Sequence, residues 1–175
     1  MSAYNFRNIR LCWPEKITSG TWLWIWNPDK VPPHIGISVG QHYFSLTYRE
    51  AEIQRNVAAM VRKAKRSGIP LVLADLSDVC LKSDLTAAFQ QYERAGSDGV
   101  TCLTPVKEVI GVADNVKQLS ELLMELEQRG NMKPVFAVHL TSAYQGIPHY
   151  TVSEIMQRIE QLHEAKRSES TIASR

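Results

Sequence analysis

The sequence has few cysteines, and their number and spacing exclude two common structural devices. Only Cys12, Cys80 and Cys102 occur, and no two of them are separated by just two residues. An odd, widely spaced set provides neither a disulfide framework nor a zinc cluster of paired cysteines. We therefore expect reduced thiols, a cytoplasmic location, no metal site and no other cofactor.

Long apolar runs and a strong charge imbalance are also lacking. The longest apolar stretches, 22–26 and 70–74, are far shorter than the roughly 18 residues of a membrane span. Residues 1–10 have no apolar core of a secretory signal. Lys and Arg number 20 against 18 Asp and Glu, a net charge of +2, which excludes a globally basic nucleic-acid binder. We expect neither a membrane span nor a nucleic-acid partner.

What the chain does have is the size and apolar content of one globular domain. Its 175 residues are 44% hydrophobic and 22% charged. A chain of this length buries roughly two thirds of its unfolded surface on folding, so it needs no crosslink. The polar, serine-rich segment 164–175 predicts a disordered tail. The expected organisation is a single domain over 1–163 followed by that tail.

The N-terminal third is typical of β structure. The β-branched and aromatic residues of 21–26 predict a strand. Segments 34–39 and 42–48, separated by a turn at Gly40, predict a β-hairpin. Further strands are predicted at 9–13, 69–76 and 133–140.

Apolar residues recur at helical spacing in the rest of the chain. Helices are predicted at 51–64, 84–95, 102–111, 115–128 and from 152 onward. Ser83 would cap the second helix, Thr101 or Thr104 the third, and Thr151 the last, through a capping box. The mixture predicts an α+β fold, with helices packed on a largely antiparallel sheet.

His34 and Cys102 are the two residues whose predicted positions best suit nucleophilic chemistry. His34 would open a strand at a sheet edge that faces a cleft. Cys102 would lie near a helix N-terminus, where the helix dipole and free amide groups favour a thiolate. A neutral imidazole beside the thiol would accept its proton, and the nearby amides would bind an oxyanion. This arrangement is typical of a cysteine hydrolase or acyltransferase.

Two segments carry a resemblance to a known enzyme family. The run PHIGISVG at 33–40, followed by YFSL at 43–46, resembles the histidine strand of NlpC-type papain-like amidases, which reads His-x-Gly-Ile-x-x-Gly before an aromatic return strand. The run CLTPVKEV at 102–109 resembles the cysteine helix of the circularly permuted branch, in which the histidine strand comes first. The segment 148–155 is similar to the one that often closes the domain. The resemblance implies a papain-like architecture.

The resemblance also implies a reaction and roles for its residues. It implies cleavage or acyl transfer at an amide, ester or thioester bond through a cysteine acyl-enzyme, with Cys102 as nucleophile and His34 as general base. The substrate would be a peptide, a lipid or another acylated compound. The family places a third polar residue on the return strand to orient the histidine, and the matching position is Ser45. Asp75 and His42 are alternatives for that role.

Other roles are open for several of these residues. Cys80, which also follows a strand, and Cys12, which precedes His34, are alternative nucleophiles. The alternative interpretation of Cys102 is a buried core thiol, and that of His34 is a structural histidine.

Aromatic residues of the β region have two interpretations. Trp22, Trp24 and Trp26 alternate along one strand and share one face of it. They form either core or an aromatic wall for a ligand, and Trp24, Trp26 and Tyr43 are the candidate substrate-binding residues. The alternative function is a non-catalytic interaction module, possibly a homo-oligomer, that uses this strand and the leucine-rich helix from 115. An unrelated α/β binding protein is a third alternative.

Overall fold

A computed structural model describes residues 2–76, 79, 84–96 and 98–173 of the chain. Within these residues the strands are β1 Ser2–Asn5, β2 Ile9–Arg10, β3 Thr21–Trp26, β4 His34–Val39, β5 His42–Leu46, β6 Ala51–Asn56, β7 Leu71–Asp75, β8 Val135–Val138 and β9 Gly146–Pro148. The helices are α1 Val57–Ser67, α2 Leu85–Gln90, α3 Leu103–Ile110, α4 Leu119–Gln128 and α5 Val152–Ala173.

One seven-stranded sheet organises the molecule. Its strand order is β2-β8-β7-β3-β4-β5-β6, and all neighbours are antiparallel except β2 and β8. β1 and β9 form a separate antiparallel pair. The predicted α+β class with a largely antiparallel sheet is therefore confirmed, while the papain-like architecture stays a prediction.

The predicted hairpin is present and lies inside the sheet, between β3 and the edge strand β6. In β4 and β5, Val39 lies opposite His42 next to the turn, and Gly36 lies opposite Ser45. On its other side β4 pairs with β3, which places Trp26 opposite His34. His34 therefore begins an inner strand at the end of the sheet away from the hairpin turn.

The sheet buries a different core on each face. One face carries aliphatic side chains such as Ile25, Ile35 and Ile37, which pack with residues of α2, α3 and α4. The other face carries Trp24 and the other strand-β3 tryptophans, which pack with α1. Because side chains alternate along a strand, each β4 residue belongs to one of these two cores.

The tryptophan face satisfies its polar atoms internally. Trp26 Nε1 donates to the hydroxyl of Tyr43 at 2.8 Å, and Trp24 Nε1 donates to Ser38 Oγ at 2.8 Å. The Tyr43 phenol lies over Gly36, where a Cβ would come within 2.6 Å of Tyr43 Cζ. Only glycine at position 36 lets the ring approach the strand this closely.

The predicted helix over 51–64 is wrong in its first half. Residues 51–56 form strand β6, which pairs with β5, and α1 begins only at Val57. Asn56 is extended and its side chain accepts from the Ala59 N–H at 2.9 Å, so it caps the helix. The predicted end is right, because Gly68 adopts a left-handed conformation with φ 56° that closes the last turn.

The predicted tail is also wrong over most of its length. The Thr151–Glu154 capping box is present, with Thr151 N–H donating to the Glu154 carboxylate at 2.6 Å. Helix α5 starts there and continues through Ala173 instead of ending at 163. Hydroxyl groups in the last turns donate to carbonyls four residues earlier, as Ser170 does to Lys166 at 3.0 Å.

Several predicted elements are present with shorter bounds. The strands predicted at 9–13, 69–76 and 133–140 correspond to β2, β7 and β8. Helix α2 is capped by the carboxylate of Asp84, and the predicted cap Ser83 lies outside the described residues. Strands β1 and β9 were not predicted.

In the described part of the chain, no helix has the length and apolar character needed to cross a membrane.

Candidate active site

A cleft of about 790 Å³ opens where β4 and α3 both begin. Its floor includes Ile35 of β4 and Leu103 of α3, and one wall is formed by α5. Both His34 and Cys102 line it, although they are 68 positions apart in the sequence. The fold thus brings the two candidate catalytic residues to a single cavity of a size typical for small-molecule sites.

Cys102 lies at the N-cap position of helix α3, as the sequence predicts. The two predicted capping threonines fix this turn. Thr101 Oγ1 accepts from the Leu103 N–H at 3.2 Å, and the Thr101 N–H donates to Thr104 Oγ1 at 3.0 Å. These bonds order the backbone around Cys102 and leave its own side chain out of the capping interactions.

Two opposing effects act on the pKa of the Cys102 thiol. The backbones of Ile35, Cys102 and Leu103 act to lower this pKa, although the Leu103 N–H also donates to Thr101 Oγ1. Burial has the larger effect, and the pKa of Cys102 is raised overall. The contribution of Ile35 places the thiol near β4, at the residue that follows His34.

His34 is a neutral imidazole in this environment. Burial, with a smaller contribution from the positive charge of Lys63, lowers the pKa of His34 to about 4. His34 starts from the same face of the sheet as its cross-strand neighbour Trp26, the face on which α1 and its Lys63 lie. Cys102 packs against the core on the opposite face. Among the hydrogen bonds of the described residues, none joins its ring to the Cys102 thiol.

The resting pair is therefore a thiol and a neutral imidazole. At neutral pH the raised pKa of Cys102 keeps its proton on sulfur, and the lowered pKa of His34 leaves a ring nitrogen free to accept one. This differs from the thiolate favoured by the sequence pattern, because burial outweighs the helix N-terminus.

The residues predicted to orient the histidine do not contact it. Ser45 Oγ donates to Glu52 at 2.6 Å, on the neighbouring strand β6. Asp75 lies opposite Trp22, whereas His34 lies opposite Trp26. Four residues of strand separate these positions by about 13 Å. The assignment of Asp75 is therefore wrong, and Ser45 is committed to Glu52.

The predicted aromatic wall is core. Trp24 is 0% exposed, Trp26 6% and Tyr43 1%, and the cleft is lined by none of them. Their hydrophobic area is buried against one another and against α1. The assignment of these three residues to substrate binding is wrong, and the alternative interpretation of the tryptophans as core is right.

The other candidate residues lie elsewhere. Cys12 is exposed and does not line the cleft. His42 is exposed at the hairpin turn, the end of the sheet opposite His34. Cys80 lies outside the described residues. Among the described cysteines, Cys102 alone lines the cleft.

Helix α5 closes one side of the cleft. Ile155, Ile159 and Leu162 recur on one face of the helix, and all three line the cleft. Gly96 lets α5 approach, because a Cβ there would lie 2.6 Å from Ile159 Cγ2. His163 Nε2 is 2.8 Å from the carbonyl oxygen of Tyr48, which fixes the helix to the β5–β6 connection.

Sequence reasoning missed the charged residues of the cleft. Lys30, Lys117 and Arg158 line it, and they are contributed by three distant parts of the chain. No local pattern marks them, because each is an ordinary solvent-exposed cation in its own segment. The apolar spacing of the last helix was the available signal for α5, and it predicts the inward face correctly.

Comparison with family models, with curated proteins and with solved structures gave no match. In the described part of the chain, no group of three histidine, cysteine or acidic side chains is placed to hold a metal ion.

Proposed function

We propose that this protein is a thiol hydrolase or acyltransferase that cleaves amide, ester or thioester bonds through an acyl-enzyme on Cys102. One observation carries the proposal. Cys102 lines a cleft at the N-terminus of α3, the same cleft that His34 lines at the start of β4. The resemblance to permuted NlpC-type papain-like amidases supports the same chemistry.

The proposed reaction starts from the neutral pair. The imidazole of His34 takes the proton from Cys102 as the sulfur attacks the substrate carbonyl carbon and a C–S bond forms. The N–H of Cys102 stabilises the negative charge on the carbonyl oxygen. The neighbouring N–H groups of Thr101, Leu103 and Thr104 are already bonded to Thr104 Oγ1, Thr101 Oγ1 and the Thr101 carbonyl. The imidazolium returns the proton to the departing nitrogen, oxygen or sulfur as that bond breaks.

The second half of the reaction releases the acyl group. Water, or another acceptor in the acyltransferase case, attacks the thioester carbonyl while His34 removes its proton. The C–S bond then breaks and the proton returns to Cys102. His34 acts first as base and then as acid in each half. This role requires its ring to reach the sulfur past the end of β4 in the substrate complex, because the two side chains start from opposite faces of the sheet.

The alternative function, a non-catalytic interaction module, requires exposed apolar faces on β3 and α4. The strand-β3 tryptophans are buried, and so are Leu119, Leu122, Leu123 and Leu126 of α4. Neither element presents an apolar face for a partner or a second copy.

Covalent trapping tests the proposal. The protein is incubated with p-nitrophenyl esters and thioesters of several acyl chains, and intact mass with peptide mapping locates the acyl group. We expect acylation of Cys102 that is lost in Cys102→Ser and slowed at least tenfold in His34→Gln, because general-base catalysis contributes about 10²-fold or more. The control Cys12→Ser should acylate normally. Acylation of Cys12 and Cys102 at equal rates would contradict the proposal.

A further inference from the structure

The charged side chains that line the cleft are cationic without exception. Lys30 lies in the β3–β4 connection, Lys117 precedes α4, and Arg158 lies on α5. Within the described residues, no aspartate or glutamate lines the cleft. All three cations are exposed, and none takes part in an ion pair of the described chain.

The neighbouring carboxylates have other partners or positions. Glu121 accepts from the backbone N–H groups of Lys117 and Gln118, at 2.6 and 2.9 Å, and so caps α4. Asp29, next to Lys30 in the sequence, does not line the cleft. The described lining therefore carries three positive charges and no carboxylate, and His34 adds no charge because its ring is neutral. The Glu121 carboxylate, bonded to the N–H of Lys117, lies close to one of these cations, which leaves Lys30 and Arg158 as the cations without a described carboxylate bonded beside them.

The inner surface of the same cleft is apolar. Ile155, Ile159 and Leu162 form a stripe along α5, of which Ile159 and Leu162 are partly exposed, while Leu46 and Leu119 lie buried behind the cleft. An alkyl chain against Ile159 and Leu162 would remove their apolar area from water at about 25 cal/mol per Å², whereas a polar solute would gain nothing from that contact. A small inorganic anion would use the cations and leave this stripe uncovered.

We propose that the cleft binds an anionic amphiphile, a compound with an apolar chain and a carboxylate or phosphate group. The chain would lie against the α5 stripe, and the anionic group would bind to Arg158, Lys117 and Lys30. The identification of this ligand as the acyl substrate of Cys102 rests on the proposed function. The binding itself depends only on the charge and the apolar stripe.

Ligand binding to Cys102→Ser, which cannot turn over through sulfur, tests this directly. Isothermal calorimetry compares decanoate and decyl phosphate with uncharged decanamide, all below their micelle concentrations. We expect both anions to bind at least tenfold more tightly than decanamide, and the preference to shrink as salt is raised. The better of the two anions identifies the head group.

Substitutions locate the anion site. Arg158→Gln should weaken decanoate or decyl phosphate about two- to fivefold, as expected for loss of one exposed charge pair, and leave decanamide unchanged. Arg167→Gln is the matched control, since Arg167 is an exposed arginine on the same helix that does not line the cleft. It should leave all three ligands unchanged.

The outcomes separate this inference from the proposed function. Equal affinity for anionic and neutral probes would overturn the inference, and Cys102 acylation would still stand or fall by its own test. If the anionic probes bind more tightly than decanamide but Cys102 is not acylated, the proposed binding site stands and the proposed hydrolase function is refuted. Binding only to phosphatidylglycerol vesicles, with none to monomeric decanoate or decyl phosphate, would also overturn the inference.

Discussion

At the scale of single residues, burial decides the protonation of the two central groups. It raises the pKa of the Cys102 thiol despite the opposing effect of nearby backbone groups, and it lowers the pKa of His34 to about 4. Both shifts favour the uncharged form, as expected where a cleft floor is apolar. At neutral pH the Cys102 thiol therefore keeps its proton, and the His34 ring is uncharged.

The lowered pKa of His34 makes stability depend on pH. Its folded-state pKa of about 4 lies below the ordinary 6.5, so the unfolded chain binds the proton more readily between these values. Stability is therefore lost as pH falls through this window, by about 2–3 kcal/mol between pH 7.5 and 4.5.

Urea unfolding at these two pH values checks this expectation. His34→Gln should lose less stability than the wild type on acidification, by about the same 2–3 kcal/mol. His42→Gln is the matched control, because His42 is exposed on the neighbouring strand. An equal pH dependence in wild type and His34→Gln would show that the imidazole is not held neutral by the fold.

At the scale of elements, the cleft depends on the close approach of α5. The approach is set at Gly96, which has φ 111° and lies under Ile159 and His163. A methyl group at this position meets Ile159 Cγ2 at 2.6 Å, so the helix would have to move away from the cleft. The wall of the cleft is thus determined by a glycine that belongs to a different segment.

Two alanine substitutions separate backbone strain from loss of this contact. Gly96→Ala and Gly99→Ala both place a side chain at positive φ, 111° and 75°, but nothing lies within 4 Å of the Cβ at position 99. Gly99→Ala should cost about 1–2 kcal/mol of unfolding free energy from strain alone. Gly96→Ala should cost about 1–3 kcal/mol more, from overpacking.

Chemical denaturation and ligand binding measure the two effects together. Gly96→Ala should also weaken decanoate binding, because Ile155 and Ile159 move with α5, whereas Gly99→Ala should not. Equal destabilisation by both substitutions, with unchanged binding, would show that α5 does not depend on contact with Gly96.

At the scale of the whole molecule, elements with local signals could be predicted from sequence. The hairpin has a turn between two apolar strands, and α3 has capping threonines and a proline in its first turn, so both lie where expected. Strand β6 was missed because Ile53, Val57 and Met60 have helical spacing, although 51–56 pairs with β5. Pairing with β5 therefore determined the structure of 51–56, although the spacing of the apolar residues is helical.

The candidate site was predictable only in part for the same reason. His34 and Cys102 are marked by their neighbours in sequence, and both line the cleft. The orienting role of Asp75 failed because it depended on sheet register, which a single sequence does not specify. The cationic residues of the cleft come from three segments that are distant in the sequence, so no local pattern predicts that they lie together. The polar residues of α5 likewise gave no sign that this helix forms a wall of the cleft.

The most direct test of the account is the alkylation rate of Cys102 by iodoacetamide from pH 3.5 to 9, read by mass spectrometry for each cysteine. Exposed Cys12 is the internal control. We predict that His34→Gln slows labelling of Cys102 at pH 7 by about tenfold or more and leaves Cys12 unchanged. We also predict that the His34-dependent part of the rate falls as the pH is lowered through about 4. A Cys102 rate that is identical in wild type and His34→Gln at every pH would contradict the account.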